Sequence, residues 1–208
     1  MAITKPKSNK RTLSAQKTKE KLYQTSLKLF SKYGYNAVTI EDITSIAGLS
    51  KGTFYTYFHS KDDILLDVFH QIDHRYEEVF ADIPETMLAR DRIFLLIDTM
   101  ANYCSKDVGL QFMKVVYANQ VSSTNNSVRI LNDSQRTFYR IARETVVLGK
   151  KNHEFPDVPD EEFTEMMIRF ARSIIYDWCL YDGQFDLETE AHKYFTVLLD
   201  SFLALASK

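Results

Sequence analysis

Residues Thr39 to Phe58 read TIEDITSIAGLSKGTFYTYF, and the spacing within them decides the fold. Ile40, Ile43, Ile46 and Ala47 recur at three- and four-residue intervals, so the first piece predicts a short helix with one apolar face. Thr39 suits its N-cap, with Asp42 three residues on to complete a capping box. Gly48 stands where that helix must stop, because glycine enters a positive φ without a Cβ clash. Ser50 then caps a second helix, in which Phe54 and Phe58, four apart, share the face that packs on the first. Two short helices about a glycine-containing turn make a helix-turn-helix.

The opposite face of the second helix presents Gly52, Thr53 and Thr56, with Lys51 at its start and Tyr55 and Tyr57 on its flanks. Hydroxyls, a cation and a glycine that permits close approach are the groups that read a DNA groove. The competing reading of this stretch is a plain α-hairpin whose aromatics are core and whose threonines are solvated.

The wider segment TKEKLYQTSLKLFSKYGYNAVTIEDITSIAGLSKGTFYTYFHSKDDIL resembles the DNA-binding domain of the TetR family of bacterial repressors over Thr18 to Leu65. The resemblance rests on the apolar helix ending at Gly34, the threonine before Ile40, the run AGLSKGTFYTYF, and Lys61 followed by Asp62. Thr44 and Ser26 stand where the family usually has alanine, and Lys19 and Lys21 where arginine is common; these departures would loosen the packing of the first two helices slightly. About a quarter of the chain is covered. With this resemblance, the candidate DNA contacts are Thr39, Ser50, Lys51, Gly52, Thr53, Tyr55, Thr56, Tyr57 and Lys61, while His59 touches phosphate or solvent. The resemblance further implies a homodimer with a four-helix interface and a second domain that varies with its ligand.

Charge is distributed to match. Residues 1–61 hold 11 Lys/Arg and 3 Asp/Glu, a net +8, whereas residues 62–208 hold 15 and 25, a net −10. The basic excess accompanies the helix-turn-helix, as polyanion binding requires. Lys5, Lys7, Lys10 and Arg11 give the first 14 residues the composition of a basic arm, either following a DNA groove or acting as a solubilising tail.

The chain of 208 residues suffices for a DNA-binding domain over 15–61 and a larger domain over 84–208. Tyr23, Leu27 and Phe30 predict a helix from about 15 to 33. Ser60 and the acids Asp62 and Asp63 start a fourth, whose stripe Ile64, Leu65, Val68, Phe69, Ile72, Tyr76 and Val79 makes it a long linking helix over 62–83. Five more helices are expected at 85–104, 107–121, 125–148, 160–182 and 187–206, about nine in all, with no strand alternation: an all-α protein. No apolar run approaches the roughly 20 residues of a membrane span. The start lacks the apolar middle of a secretory signal, so the expected location is cytoplasmic.

The last two helices carry broad apolar faces, and Phe163, Ile174, Tyr194, Phe195, Leu198 and Phe202 are the candidate dimer contacts, with internal core as the alternative. Met100, Tyr103, Phe112, Met113, Tyr117, Phe138, Met166, Met167, Phe170 and Trp178 are candidates for a ligand cavity, since methionine fills irregular space and tyrosine supplies hydroxyls. Arg140, Arg143, Arg169 and Arg172 either meet an acidic ligand or are surface cations. Cys104 and Cys179 are far apart in sequence, with no metal-type spacing, and read as buried thiols; a Cys–His catalytic pair is the distant alternative. No cofactor, metal or catalytic site is expected. The sequence points to a two-domain DNA-binding regulator released from a two-fold operator by a small molecule, with a ligand-independent architectural DNA binder as the runner-up.

Overall fold

The computed structural model describes residues 8–122 and 130–206. Its order is α1 (Ser8–Tyr33), α2 (Ile40–Ala47), α3 (Lys51–Tyr57), α4 (Lys61–Ala81), α5 (Ala89–Asn102), a π-helical segment (Tyr103–Val108), α6 (Leu110–Ser122), α7 (Thr137–Lys151), α8 (Asp160–Leu180) and α9 (Leu187–Ala206). Every regular element among the described residues is helical. The chain forms two compact units, Met1–Leu66 and Asp67–Lys208.

In the first unit the core is Leu22, Leu27 and Phe30 from α1, Val38, Ile43 and Ala47 around α2, Phe54 and Phe58 at α3, and Ile64 and Leu65 at the start of α4. Each such side chain contributes about 1.5–3 kcal/mol on full burial, which outweighs the weak intrinsic stability of helices as short as α2 and α3. Helix α1 begins at Ser8, seven residues before the expected start, so half of the stretch read as a basic arm is helical; residues 1–7 lie outside the described residues. Ile46 departs from expectation too: it is 64% exposed, and the inward face of α2 is Ile43, Thr44 and Ala47. Thr44 can replace a small apolar residue there because its hydroxyl donates to the Ile40 carbonyl at 2.9 Å. Ser26, fully buried in α1, does the same with Leu22 at 2.8 Å. Neither hydroxyl is left unsatisfied, so neither departure loosens the core through an unpaired polar group.

The second unit packs α5 against α7 and α9, and α8 against α6, α7 and α9. Three boundaries differ from expectation. Helix α5 starts at Ala89 because Pro84–Met87 forms a turn, with the Met87 amide donating to the Pro84 carbonyl at 3.0 Å. The predicted break near Gly109 is preceded by six residues of π-helix that the periodicity does not reveal. Helix α7 starts at Thr137 rather than 125. The Gln120 side chain accepts from the amides of Ile130 and Leu131, and Asp133 accepts from the Gln135 amide. Such local bonds compete with helix formation. Among the described residues no helix is long and apolar enough to cross a membrane.

Candidate nucleic-acid interface and internal cavity

The turn between α2 and α3 is built by local chemistry. The Thr39 hydroxyl accepts from the Asp42 amide at 3.1 Å while the Asp42 carboxylate accepts from the Thr39 amide at 2.8 Å, a closed capping box. The Thr39 hydroxyl also donates to the Asp42 carboxylate at 2.6 Å, and that bond, followed by the one from the Thr39 amide, holds the Asp42 carboxyl below its usual range. Gly48 takes φ 63°, ψ 39°, the left-handed cap that a Cβ would strain. Ser50 accepts from the Thr53 amide at 3.0 Å and begins α3.

Phe54 and Phe58 are buried, their rings 5.7 Å apart, so the orientation of α3 is fixed by its inner face. On its outer face Lys51, Gly52, Tyr55 and Thr56 are exposed, and Thr53 and Tyr57 are partly so. Lys51 pairs with the exposed Glu41, a contact that gives way readily to another anion. Thr56 donates to the Gly52 carbonyl at 3.0 Å, which leaves its hydroxyl oxygen able to accept. Thr39 and Ser50 are exposed caps beside this surface.

Lys61 is differently employed. Its ammonium donates to the carbonyls of Tyr35 at 2.9 Å and Val38 at 2.7 Å, and lies 4.6 Å from the Tyr35 ring centroid. The Tyr35 hydroxyl in turn donates to Asp62, and burial, then that carboxylate, pushes its pKa up. Lys61 and Asp62 thus tie α4 to the α1–α2 connection, and two of the three donors of the Lys61 ammonium are taken up there.

The second unit contains a cavity of about 60 Å³. Of the residues expected to line it, Met100, Tyr103, Met113, Tyr117 and Phe138 do. Phe112, Met167 and Trp178 are buried elsewhere, whereas Met166 and Phe170 border a separate open groove with Leu198. The sequence reading missed the contribution of α4, which supplies Val68, Phe69, Ile72 and Tyr76 from the stripe assigned to a linking helix. It also missed Arg136, while Arg172, one of the four cations singled out, does line the wall. Arg140, Arg143 and Arg169 are exposed and pair with Glu144, Glu161 and Glu165.

Polar atoms of the cavity wall are mostly engaged. Arg136 makes a two-pronged bond to Asp73 on α4, at 3.0 and 2.8 Å, and its guanidinium lies 4.9 Å from the Phe69 ring centroid. The Tyr103 hydroxyl donates to the Val68 carbonyl at 2.9 Å and that of Tyr117 to the Arg172 carbonyl at 3.0 Å. Burial pushes the tyrosine pKa of Tyr76 and Tyr117 up and that of the Cys104 thiol to about 12, so all three are neutral donors. Cys179, raised by burial to about 11, is equally inert. Among the described residues no three His, Cys, Asp or Glu side chains are grouped to hold a metal.

On α8 and α9, Phe163, Ile174 and Phe195 are core: Phe163 meets Phe202 edge-on at 4.9 Å, and Phe195 packs on Phe170. Tyr194 is exposed and Leu198 partly so, joined on the surface by Tyr176, Leu180 and Val197.

Residues 22–68 match the family described as bacterial regulatory proteins, tetR family. The HTH-type transcriptional regulator AcrR of Shigella flexneri is 21% identical over 197 residues, 91% of each chain. Among solved structures, the transcriptional regulator FadR from Bacillus subtilis in complex with stearoyl-CoA is 19% identical with a TM-score of 0.74, covering 86% of this chain and 97% of its own. A regulator from Saccharomonospora viridis in complex with choline is 20% identical with a TM-score of 0.68, covering 89% and 96%. The capped helix-turn-helix thus lies within the segment that matches the tetR family of bacterial regulatory proteins, and the chain shares its helical fold with these solved structures.

Proposed function

We propose that the protein is a sequence-specific DNA-binding transcriptional repressor, acting in the cytoplasm as a homodimer, whose operator affinity falls when a small molecule enters the unit Asp67–Lys208. The observation that carries this reading is the division of α3: Phe54 and Phe58 lock one face while Lys51, Gly52, Thr53, Tyr55 and Thr56 are left outward. Nothing in such an arrangement performs bond chemistry; it recognises. Support for sensing comes from α4, whose residues Val68, Phe69, Ile72 and Tyr76 wall the cavity and whose first turn holds the helix-turn-helix through Lys61. A ligand that rearranges those four side chains acts on a helix shared with the DNA-binding element, and linkage requires operator DNA to weaken ligand binding by the same factor. The exposed Tyr176, Leu180, Tyr194 and Val197 are the surface we assign to the dimer contact, a revision from the buried phenylalanines.

Capture of genomic fragments with and without cell extract tests the reading. Fragments sharing one sequence should be retained, and extract should release them. Retention of unrelated fragments, insensitive to extract, would favour the architectural alternative.

A further inference from the structure

Beside the internal cavity lies a wider groove of about 520 Å³ along α6 and α8, and Tyr117, Leu131 and Arg172 line both. These three residues border both a largely apolar inner space and a wider, more open groove. The two arginines of the inner cavity are not equivalent. Arg136 is neutralised by the two-pronged contact with Asp73. Arg172 bonds only neutral groups: its guanidinium donates to the Leu131 carbonyl at 2.6 Å and acts on the Tyr139 hydroxyl, and among the described residues no carboxylate pairs with it. The groove adds Arg169, held by one exposed contact to Glu165, and among the described residues neither space is lined by an acid.

A partly buried guanidinium without a counter-charge keeps donors in fork geometry for an oxyanion, and a charge-assisted bond made there is stronger than a neutral one. A cationic ligand would meet two guanidinium groups and no carboxylate free to receive it. We infer that the effector is an anionic amphiphile, its apolar part in the cavity walled by Met100, Met113 and Phe138 and its carboxylate or phosphate head on Arg172 at the groove. The inference rests on the proposal that a small molecule enters this unit. The inner space must widen from 60 Å³ to accept a chain, which the unbranched Met100 and Met113 can provide by changing rotamer.

Calorimetry on the full-length protein with decanoate, decyl phosphate, decanol and decyltrimethylammonium, all below micelle formation, tests it. Both anions should bind at least about tenfold more tightly than decanol, with the ammonium weakest. The tighter anion identifies the head group. Arg172→Gln should remove the advantage of the anions while leaving decanol unchanged, Arg172→Lys should retain part of it, and Met113→Trp should weaken all the ligands. Equal binding of decanol and the anions, tightest binding by the ammonium, no binding of either anion, or indifference to Arg172→Gln overturns the inference. Operator affinity measured alongside separates the two claims. An anion bound through Arg172 that leaves operator affinity unchanged defeats the sensor reading and spares the ligand class, whereas release by the ammonium does the reverse.

Discussion

The ammonium of Lys61 donates to the main-chain carbonyl of Val38 at 2.7 Å, joining the first turn of α4 to the residue before the α2 cap. A second bond to Tyr35 completes the clasp. Lys61→Ala should therefore lower the stability of the first unit by about 1–3 kcal/mol, the range for losing charge-assisted bonds, and leave the salt dependence of DNA binding unchanged. Lys51→Ala should do the opposite, reducing the salt slope by about 0.9 with no loss of stability, because its exposed partner Glu41 contributes little. Urea melts and binding isotherms at several salt concentrations distinguish the two. A changed slope for Lys61→Ala would show that its ammonium leaves the clasp on binding.

Thr53 and Tyr55 should separate by kind of contact. The capping bond of α3 comes from the Thr53 amide, and although the Thr53 hydroxyl also lies 2.9 Å from the Ser50 hydroxyl, Thr53→Ala keeps that capping bond. It should alter base preference by roughly 1–3 kcal/mol. Tyr55→Phe should weaken all duplexes alike, as loss of a phosphate contact does. Competition among single-base variants of one bound duplex reads both effects.

What was legible in the sequence was local. The Thr39–Asp42 box, the turn at Gly48 and the Ser50 cap are set by bonds between residues three or four apart, and the four-residue interval of Phe54 and Phe58 sufficed to orient α3. The clasp made by Lys61 was not legible, because its partners Tyr35 and Val38 lie more than twenty positions away, at a distance that periodicity does not report. Phe163 and Phe195 posed the same difficulty: an apolar stripe looks alike whether it faces a partner chain or Phe202 and Phe170 of its own. The cavity was half visible, since methionines and tyrosines suggested it, but Arg136 and the α4 wall are brought there by tertiary packing alone.

Gly149 in α7 is required by close approach. A Cβ at this position would lie 2.2 Å from Cδ2 of Phe155 and 2.9 Å from Cβ of Ala89. Phe155 is itself buried against Phe163 and has little room to withdraw. Gly149→Ala should destabilise the protein by about 1–3 kcal/mol through overpacking, despite alanine's better helix propensity. A rise in the urea midpoint would contradict this packing.

Both thiols should resist alkylation in the native state. With burial raising Cys104 to about 12 and Cys179 to about 11, the thiolate is scarce at pH 8, and native labelling should begin only as pH climbs toward 11. Iodoacetamide followed by mass spectrometry should find two unmodified cysteines at pH 8 and two modified ones in denaturant. Rapid native labelling of Cys104 would mean that the cavity wall opens readily.

Selection of bound duplexes from a randomised pool by the full-length protein tests the central claim, that α3 reads DNA sequence in a two-fold complex. The predicted result is a single enriched palindromic sequence, its half-site centres about one helical turn or a multiple apart, roughly 34 Å for one turn, and shifted at specific bases by Thr53→Ala. A pool that gains no shared sequence, or one that Thr53→Ala leaves identical, would contradict it.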